Sequence, residues 1–429
     1  MIGKFQYMLI DKYRGTKVVS DVFRIENEVE RGFTSLEEIR KNKLIKLLIE
    51  IKNNVPFYNN ILARIPNDEI NHSPFAILKE LPIITKKDFY EYGDDIISKR
   101  RIKFILNKTG GSSGNPFFYR IDIESVSRLK AYSIYFWRKS FKYNYGDEII
   151  SIGGSSLNGK VNFKKKIYNK LQNKTAIEGG LIDSKDYINF ISKLTNNTEI
   201  VIYAYPSALS YFVSRFIEKN IHINTRIKGI VTTSEQLLNN SRELIENYFG
   251  VPIFNQYGAR DGGIIASECE NHDGFHYNFQ DCIIETDSES NLILTNLNSY
   301  SMPFVKYLVG DIGVIVNEPC ECGLPLPRIK SLLGRTRDLI NLNNKTIHGS
   351  VFNKIFYKYK SIFQYQIIKR SNILLIKVKT INNEKLNNEA EIISDLNKII
   401  NEELLIKIQY TNDFEYNQAG KIKTIINEE

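Results

Sequence analysis

Charged residues alternate with Ile and Leu at helical spacing across residues 35–60, which predicts an amphipathic helix that Pro56 ends. Residues 86–98 predict a shorter helix with Thr85 as its N-cap. A strand over 103–107 leads into a glycine-rich stretch, and 124–141 reads as helix. Strands at 148–152, 227–233 and 252–257 then alternate with helices at 206–220 and 241–249. That alternation is the pattern of an α/β domain with a largely parallel sheet. Short strands at 281–286, 292–296 and 311–316, joined by turns, predict an antiparallel β portion. Beyond them the pattern shifts again. A hairpin over 363–370 and 373–380, a helix at 384–402 and a strand at 405–410 make a small α+β unit. The expected fold class is therefore α/β. A large N-terminal domain, 1–334, carries mostly parallel sheets plus the antiparallel portion, and a small α+β domain, 335–429, follows. The boundary falls near Arg335 to Asp338.

Length agrees with that division. One hydrophobic core rarely grows past roughly 250–300 residues, and this chain has 429. Hydrophobic residues at 42% and charged residues at 25% are ordinary globular proportions, which excludes wholesale disorder and fibrous structure. The 58 Lys+Arg against 49 Asp+Glu leave +9, a mild bias that suits an anionic substrate as well as nucleic acid. There is no nucleic-acid motif or dense basic run, and Lys164-Lys165-Lys166 reads as a solvated loop. Nucleic acid is not an expected partner. No uncharged apolar run reaches the roughly 20 residues that span a bilayer, so no transmembrane segment is expected. Residues 1–22 lack the apolar core and cleavage site of a signal peptide. Four cysteines are too few for a disulfide scaffold, which places the protein in a reducing cytoplasm. Clustered cysteines there more often bind metal than cross-link.

Five short motifs can carry chemistry. In Thr109-Gly110-Gly111-Ser112-Ser113-Gly114-Asn115-Pro116 the glycines allow close backbone approach and the hydroxyls add donors. Such a loop cradles phosphate or is a plain surface turn. It is not a Walker loop, because Lys108 precedes it. Asn255-Gln256-Tyr257-Gly258-Ala259-Arg260-Asp261 ends a strand, where ligands of open α/β sheets bind. Its aromatic can stack on a base and its carboxylate can hold a metal. Tyr307-Leu308-Val309-Gly310-Asp311-Ile312-Gly313 fixes a carboxylate between glycines, suited to a sugar diol or to a hairpin turn. Gly334-Arg335-Thr336-Arg337-Asp338 offers two arginines to phosphate or ribose oxygens, or is a solvated linker. Gly420-Lys421-Ile422-Lys423 near the C-terminus would in isolation be a solvated tail.

In this order the five motifs resemble those of the AMP-forming (adenylate-forming) ligases. The resemblance is to the phenylacetate–coenzyme A ligase branch, including its relatives in capsule and lipopolysaccharide biosynthesis. Val55-Pro56-Phe57-Tyr58, Leu81-Pro82-Ile83-Ile84-Thr85-Lys86, Tyr205-Pro206-Ser207 and Thr232-Thr233-Ser234-Glu235 extend it over nearly the whole chain. The resemblance implies that Thr109, Gly110, Gly111, Ser112, Ser113 and Gly114 wrap the phosphates of ATP. It puts Tyr257 and Gly258 at adenine and makes Asp261 the Mg2+ ligand, where the family usually has Glu. Asp311 would hold the ribose hydroxyls and Arg335 the ribose or phosphate. Arg337 departs from the usual hinge Asp or Lys. Lys421 corresponds to the lysine that contacts the reacting carboxylate and α-phosphate, with Lys423 as the neighbour to test against it.

A structural zinc site is expected as well. Cys320-Glu321-Cys322-Gly323 sets two thiols one residue apart, and Cys269 lies seven residues before His276. The phenylacetate branch has similar segments. Cys269, His276, Cys320 and Cys322 make a Cys3His set, the composition of a closed structural site. His272 is the alternative nitrogen ligand, and Cys282 reads as a buried small residue. The implied cofactors are ATP, Mg2+, structural Zn2+ and, for one version of the second step, coenzyme A. The partners are a small carboxylic acid and an acyl acceptor, which is an amine, an amino sugar or CoA; a homodimer is one option for assembly. The leading expectation is acyl-adenylate formation and acyl transfer in surface-polysaccharide biosynthesis. Residues 346–352 depart from the phenylacetate-type segment, which favours this version over an aryl-CoA ligase. A catalytically inactive nucleotide-binding protein is the third reading.

Overall fold

The computed structural model describes residues 2–108, 117–158, 162–177, 190–192, 194, 199–223, 226–336, 338–342, 346–356, 358–359, 361–380, 384–401, 404–417 and 421–428. The chain divides into two compact units, Met1–Gly146 with Gln256–Leu332, and Asp147–Asn255 with Leu333–Glu429. Among the described residues no helix is long and apolar enough to cross a membrane.

The first unit opens on helices. Ile2–Arg14, Val18–Glu30 and Phe33–Asn54 are followed by Pro56–Leu62, which begins a new helix because Pro56 fits the first helical turn. Thr85 caps the helix Lys86–Tyr92 in a capping box with Asp88, as expected. That helix stops earlier than the predicted residue 98. Gly93 takes a φ of 49° and starts a short 3-10 turn. The strands Phe104–Lys108 and Phe118–Asp122 pair antiparallel, with Lys108 opposite Phe118. The glycine and serine motif between them lies outside the described residues. The unit's β portion is antiparallel in all its recorded pairings: Cys282–Thr286, Asn291–Asn296, Tyr307–Val316, Arg328–Arg335, Phe275–Tyr277, Ile264–Ser267 and Ile253–Ala259 neighbour one another in that order.

In the second unit, Ile227–Thr233, Ile200–Ala204, Glu148–Ile152 and Lys174–Ile177 lie side by side and parallel. A parallel sheet covered on both faces reads as unbroken apolar runs. Ile200, Val201 and Ile202 are accordingly all fully buried. Their core includes Phe212 and Phe216 of the helix Pro206–Glu218. The C-terminal α+β portion is a four-stranded sheet in the order Leu405–Tyr410, Ile373–Lys379, Gln364–Arg370, Ile425–Glu428. The helix Glu389–Ile400 buries Ile392, Leu396 and Ile400 in its core. Asn240 donates to the carbonyls of Tyr359 and Ile362, and Leu238 belongs to the same core. The fold class is the one expected: α/β with parallel strands, an antiparallel portion and a C-terminal α+β element.

Candidate active site and metal centre

In the first unit two carboxylates are held by two tyrosines. Tyr257, on the strand Ile253–Ala259, donates its hydroxyl to Asp311 Oδ2 at 2.7 Å. Tyr307 donates to Asp261 Oδ2 at 2.9 Å. Burial, with the nearby Asp261 and Asp311 charges, pushes the Tyr307 phenol well above its usual range, so it stays a donor. Asp311 owes its place to a β-bulge. Asn291 pairs with Ile312 and Ile293 with Leu308, so the strand Tyr307–Val316 advances four residues while its partner advances two. Gly310 takes up the bend at a φ of 85°. An alanine there would be strained in a conformation that L side chains rarely adopt.

Asp261 has a second partner. Lys86 Nζ lies 2.8 Å from the same Oδ2. Lys86 is placed by the segment before it: Ile84 donates to the Lys306 carbonyl at 2.9 Å and Leu308 donates to the Ile84 carbonyl at 2.8 Å. The stretch containing Pro82 and Thr85 is thereby tied to the strand that carries Tyr307. Asp261 Oδ1 has no hydrogen-bond partner among the described residues. One unengaged carboxylate oxygen fits Mg2+, which takes few protein carboxylates and keeps waters. The roles of Lys86 and Tyr307 escaped the sequence reading. The available signal was the Leu-Pro-Ile-Ile-Thr-Lys motif, used there only for resemblance.

The second unit brings Lys421 to Glu235. Glu235 follows Ser234, whose φ of 74° turns the chain sharply after the strand Ile227–Thr233. Its Oε2 accepts from the Ser207 hydroxyl at 2.5 Å and the Ser207 amide at 3.2 Å. Its Oε1 accepts from the Ile422 amide at 3.4 Å. Burial raises the Glu235 pKa, while these hydrogen bonds and the Lys421 charge oppose the rise. Two hydrogen bonds tie Lys421 to Asn417: its amide donates to Asn417 Oδ1 at 3.1 Å, and the Asn417 amide donates to its carbonyl at 2.8 Å. Lys423 pairs instead with Glu415 at 3.8 Å. Arg335 ends the strand Arg328–Arg335, and Arg337 lies outside the described residues. Gly153 follows the parallel strand Glu148–Ile152, where a Cβ would sit 2.9 Å from the end of the Leu157 side chain and 3.1 Å from the Tyr205 ring, so a larger residue would have to displace both.

The candidate metal centre lies wholly in the first unit. Ligand atoms of Cys269, His276, Cys320 and Cys322 all fall within 4.8 Å of one another. Strand pairing explains the convergence, since Arg328 opposite His276 carries the Cys320–Cys322 turn back over the strand Phe275–Tyr277. Cys269 Sγ and Cys320 Sγ are 3.7 Å apart, and Cys322 Sγ is 3.3 Å from His276 Nε2. Tetrahedral zinc with bonds of roughly 2.0–2.3 Å sets ligand atoms about 3.5–3.8 Å apart, so the group fits. His276 Nδ1 lies 2.7 Å from the Leu326 carbonyl. That bond fixes Nδ1 as the protonated nitrogen and leaves Nε2 to ligate. His272 faces Glu268 at 3.1 Å and is not in the group. Cys282 is fully buried, and its thiol reaches the Asn278 carbonyl at 3.4 Å.

Comparison with known proteins agrees with this geometry. No established family profile matches the chain. It is 25% identical over 406 residues to protein CapK of Staphylococcus aureus, covering 91% of this chain and 87% of that protein. It is 22% identical over 368 residues to the phenylacetate–coenzyme A ligase of Thermus thermophilus, covering 78% of each. Among solved structures, 2-hydroxyisobutyryl-CoA ligase in complex with an acyl-AMP superposes with a TM-score of 0.68 at 14% identity, over 92% of this chain and 89% of that one. The fold is that of the adenylate-forming ligases. In sequence the chain is similar to both CapK and phenylacetate–coenzyme A ligase over more than three quarters of its length.

Proposed function

We propose that the protein converts a carboxylic acid and ATP into an acyl-adenylate and pyrophosphate, then transfers the acyl group to an acceptor. The observation that carries this reading is the Tyr257–Asp311 pair at the Gly310 bulge, a ring and a diol-binding carboxylate locked together. In the first step a carboxylate oxygen attacks the α-phosphorus of ATP in line and pyrophosphate leaves. Two anions repel, so the reaction needs cationic charge that is in place beforehand. Lys421 supplies it at the carboxylate and α-phosphate. Asp261 holds Mg2+, which neutralises phosphate charge when bound. Arg335 and the loop Thr109 to Gly114 bind the remaining phosphate and ribose oxygens. Residues 335–429 act as the mobile domain that carries Lys421, and its closure excludes water from the anhydride. Cys269, His276, Cys320 and Cys322 hold a structural zinc that ties the β elements together and does no chemistry.

The departure of residues 346–352 from the phenylacetate-type segment favours transfer to an amine or amino sugar in surface-polysaccharide assembly over thioester formation. The testing experiment is pyrophosphate release across aryl, fatty, amino and sugar acids, with and without coenzyme A. Release without coenzyme A, followed by transfer to an amine, is the expected result. No release with any acid would leave only the inactive nucleotide-binding reading.

Nucleotide binding has its own measurement. A ligand held only by the folded state stabilises it by about 2.7 kcal/mol at a hundredfold excess over Kd. For a chain of 429 residues ATP with Mg2+ should raise the melting temperature by roughly 3 °C. Asp311→Ala should abolish that shift. A mutant that keeps the full shift removes Asp311 from the nucleotide site.

A further inference from the structure

Lys379 ends the strand Ile373–Lys379 with its side chain turned inward, and only 7% of the residue is exposed. Its ammonium lies 4.2 Å from the centre of the Tyr211 ring. Among the described residues no oxygen accepts a hydrogen bond from its Nζ. A largely desolvated amine with no protein acceptor holds its proton less readily unless water or an anion in the cavity takes its N–H groups. Burial pulls its pKa down to about 7; Glu218 opposes that fall and Arg215 adds to it.

Lys379 lines a cavity of about 290 Å3 together with Thr380, Asn412 and one face of the helix Pro206–Glu218. That face presents Tyr211, Ser214, Arg215 and Glu218 at helical spacing. Glu218 is neutralised by Arg215, 2.7 Å away, so protonated Lys379 leaves the cavity one net positive charge. The Ser214 hydroxyl is spent on the Ser210 carbonyl and the Thr380 hydroxyl on the Glu384 carbonyl. Donors lining the cavity include the Lys379 ammonium and the Asn412 amide. Tyr211 stands one helical turn beyond Ser207, whose hydroxyl is bonded to Glu235. The cavity therefore starts roughly 6 Å along the helix from the residues that meet Lys421.

We propose that this cavity is an anion subsite that holds a phosphate group of the acyl acceptor, with Lys379 as its binding cation. The proposal rests on the acyl-transfer reading and adds the substrate class: the acceptor carries a phosphate handle. Binding is coupled to a proton. Below pH 7 the ammonium is already present in the free protein. Above it the bound anion must draw a proton onto Lys379, so affinity falls about tenfold per pH unit until the higher pKa of the bound state is reached.

Calorimetric titration at pH 8, in two buffers of different ionisation enthalpy and without ATP or acid, tests this independently of turnover. Coenzyme A, UDP-glucosamine and inorganic phosphate serve as probes. At least one of the two carriers should bind with uptake of about one proton. Which carrier binds identifies the source of the phosphate. Lys379→Met should weaken that binding roughly tenfold or more and abolish the proton uptake. Lys379→Arg should keep most of the affinity with no uptake, because arginine stays charged. Failure of both carriers to bind, binding of inorganic phosphate alone, or binding unchanged in both variants would overturn the proposal. Pyrophosphate release in wild-type protein would meanwhile still report on adenylation, so the two failures can be told apart.

Discussion

Replacing Lys421 by alanine is expected to slow pyrophosphate release by roughly 10²–10³-fold, the scale of losing one preorganised electrostatic contact. ATP binding should weaken far less. The reason lies in when the charge is used. A cation placed where the carboxylate and the α-phosphate meet gains most as the new bond forms, so its loss raises the barrier more than it weakens the ground-state complex. The contacts of Lys421 fit that role. Two hydrogen bonds with Asn417 hold its backbone, and its charge acts on the half-buried Glu235 carboxylate. On the proposed mechanism Glu235 is the resting partner of Lys421 and gives way to the substrate carboxylate. Transfer from preformed acyl-adenylate should be largely spared in Lys421→Ala. Lys423→Ala should do little, since Lys423 already pairs with Glu415 at 3.8 Å. If Lys423→Ala is the crippled variant, the catalytic lysine has been misplaced by two residues. If neither change slows release, the C-terminal segment does not supply the catalytic cation.

Much of the frame was legible because its signals are local. Glu148–Ile152 and Ile227–Thr233 stand out as apolar strand runs and Thr85 as the N-cap of Lys86–Tyr92, whereas the strand Ile200–Ala204 was not read, because pattern alone does not separate its apolar run from a buried helix segment. The antiparallel portion was read less well. Ile264–Ser267 and Phe275–Tyr277 have four and three residues, too few for a period of two to stand out. The strand Tyr307–Val316 begins four residues before the predicted start at Asp311. Val309-Gly310-Asp311 looks like a turn, but long-range pairing with Asn291–Asn296 absorbs it as a bulge. The site shows the same split. Motif order picks out Tyr257, Asp261, Asp311 and Lys421 as separate candidates. That Tyr257 holds Asp311, or that Lys86 and Tyr307 share one oxygen of Asp261, depends on segments far apart in sequence. No spacing rule encodes those contacts. The choice between His272 and His276 was open for the same reason, because cysteine–histidine spacing allows both. Pairing of Arg328 with His276 decides which ring meets the thiols.

That choice leads to the second large effect. Elemental analysis should find about one zinc per chain, and stripping it should unfold or strongly destabilise the first unit. A structural site forms only in the folded state, so its binding free energy adds to folding free energy. Cys320→Ser leaves three ligands around a buried cation and breaks the closed shell. If that costs about 3 kcal/mol, the melting temperature of a chain of 429 residues falls by roughly 3–4 °C. His276→Ala should lose the metal too, because His276 Nε2 is the atom beside Cys322 Sγ, at 3.3 Å. His272→Ala and Cys282→Ser should both keep it, since neither residue is in the ligand group. The pattern separates a zinc site from four unrelated packing defects. Cys282 is as buried as any of the proposed ligands, yet its replacement should leave the zinc content at one. Wild-type protein that contains no zinc and melts identically with and without a strong chelator would sink the metal centre. The same residues would then be a hydrogen-bonded cluster of reduced thiols around a neutral histidine.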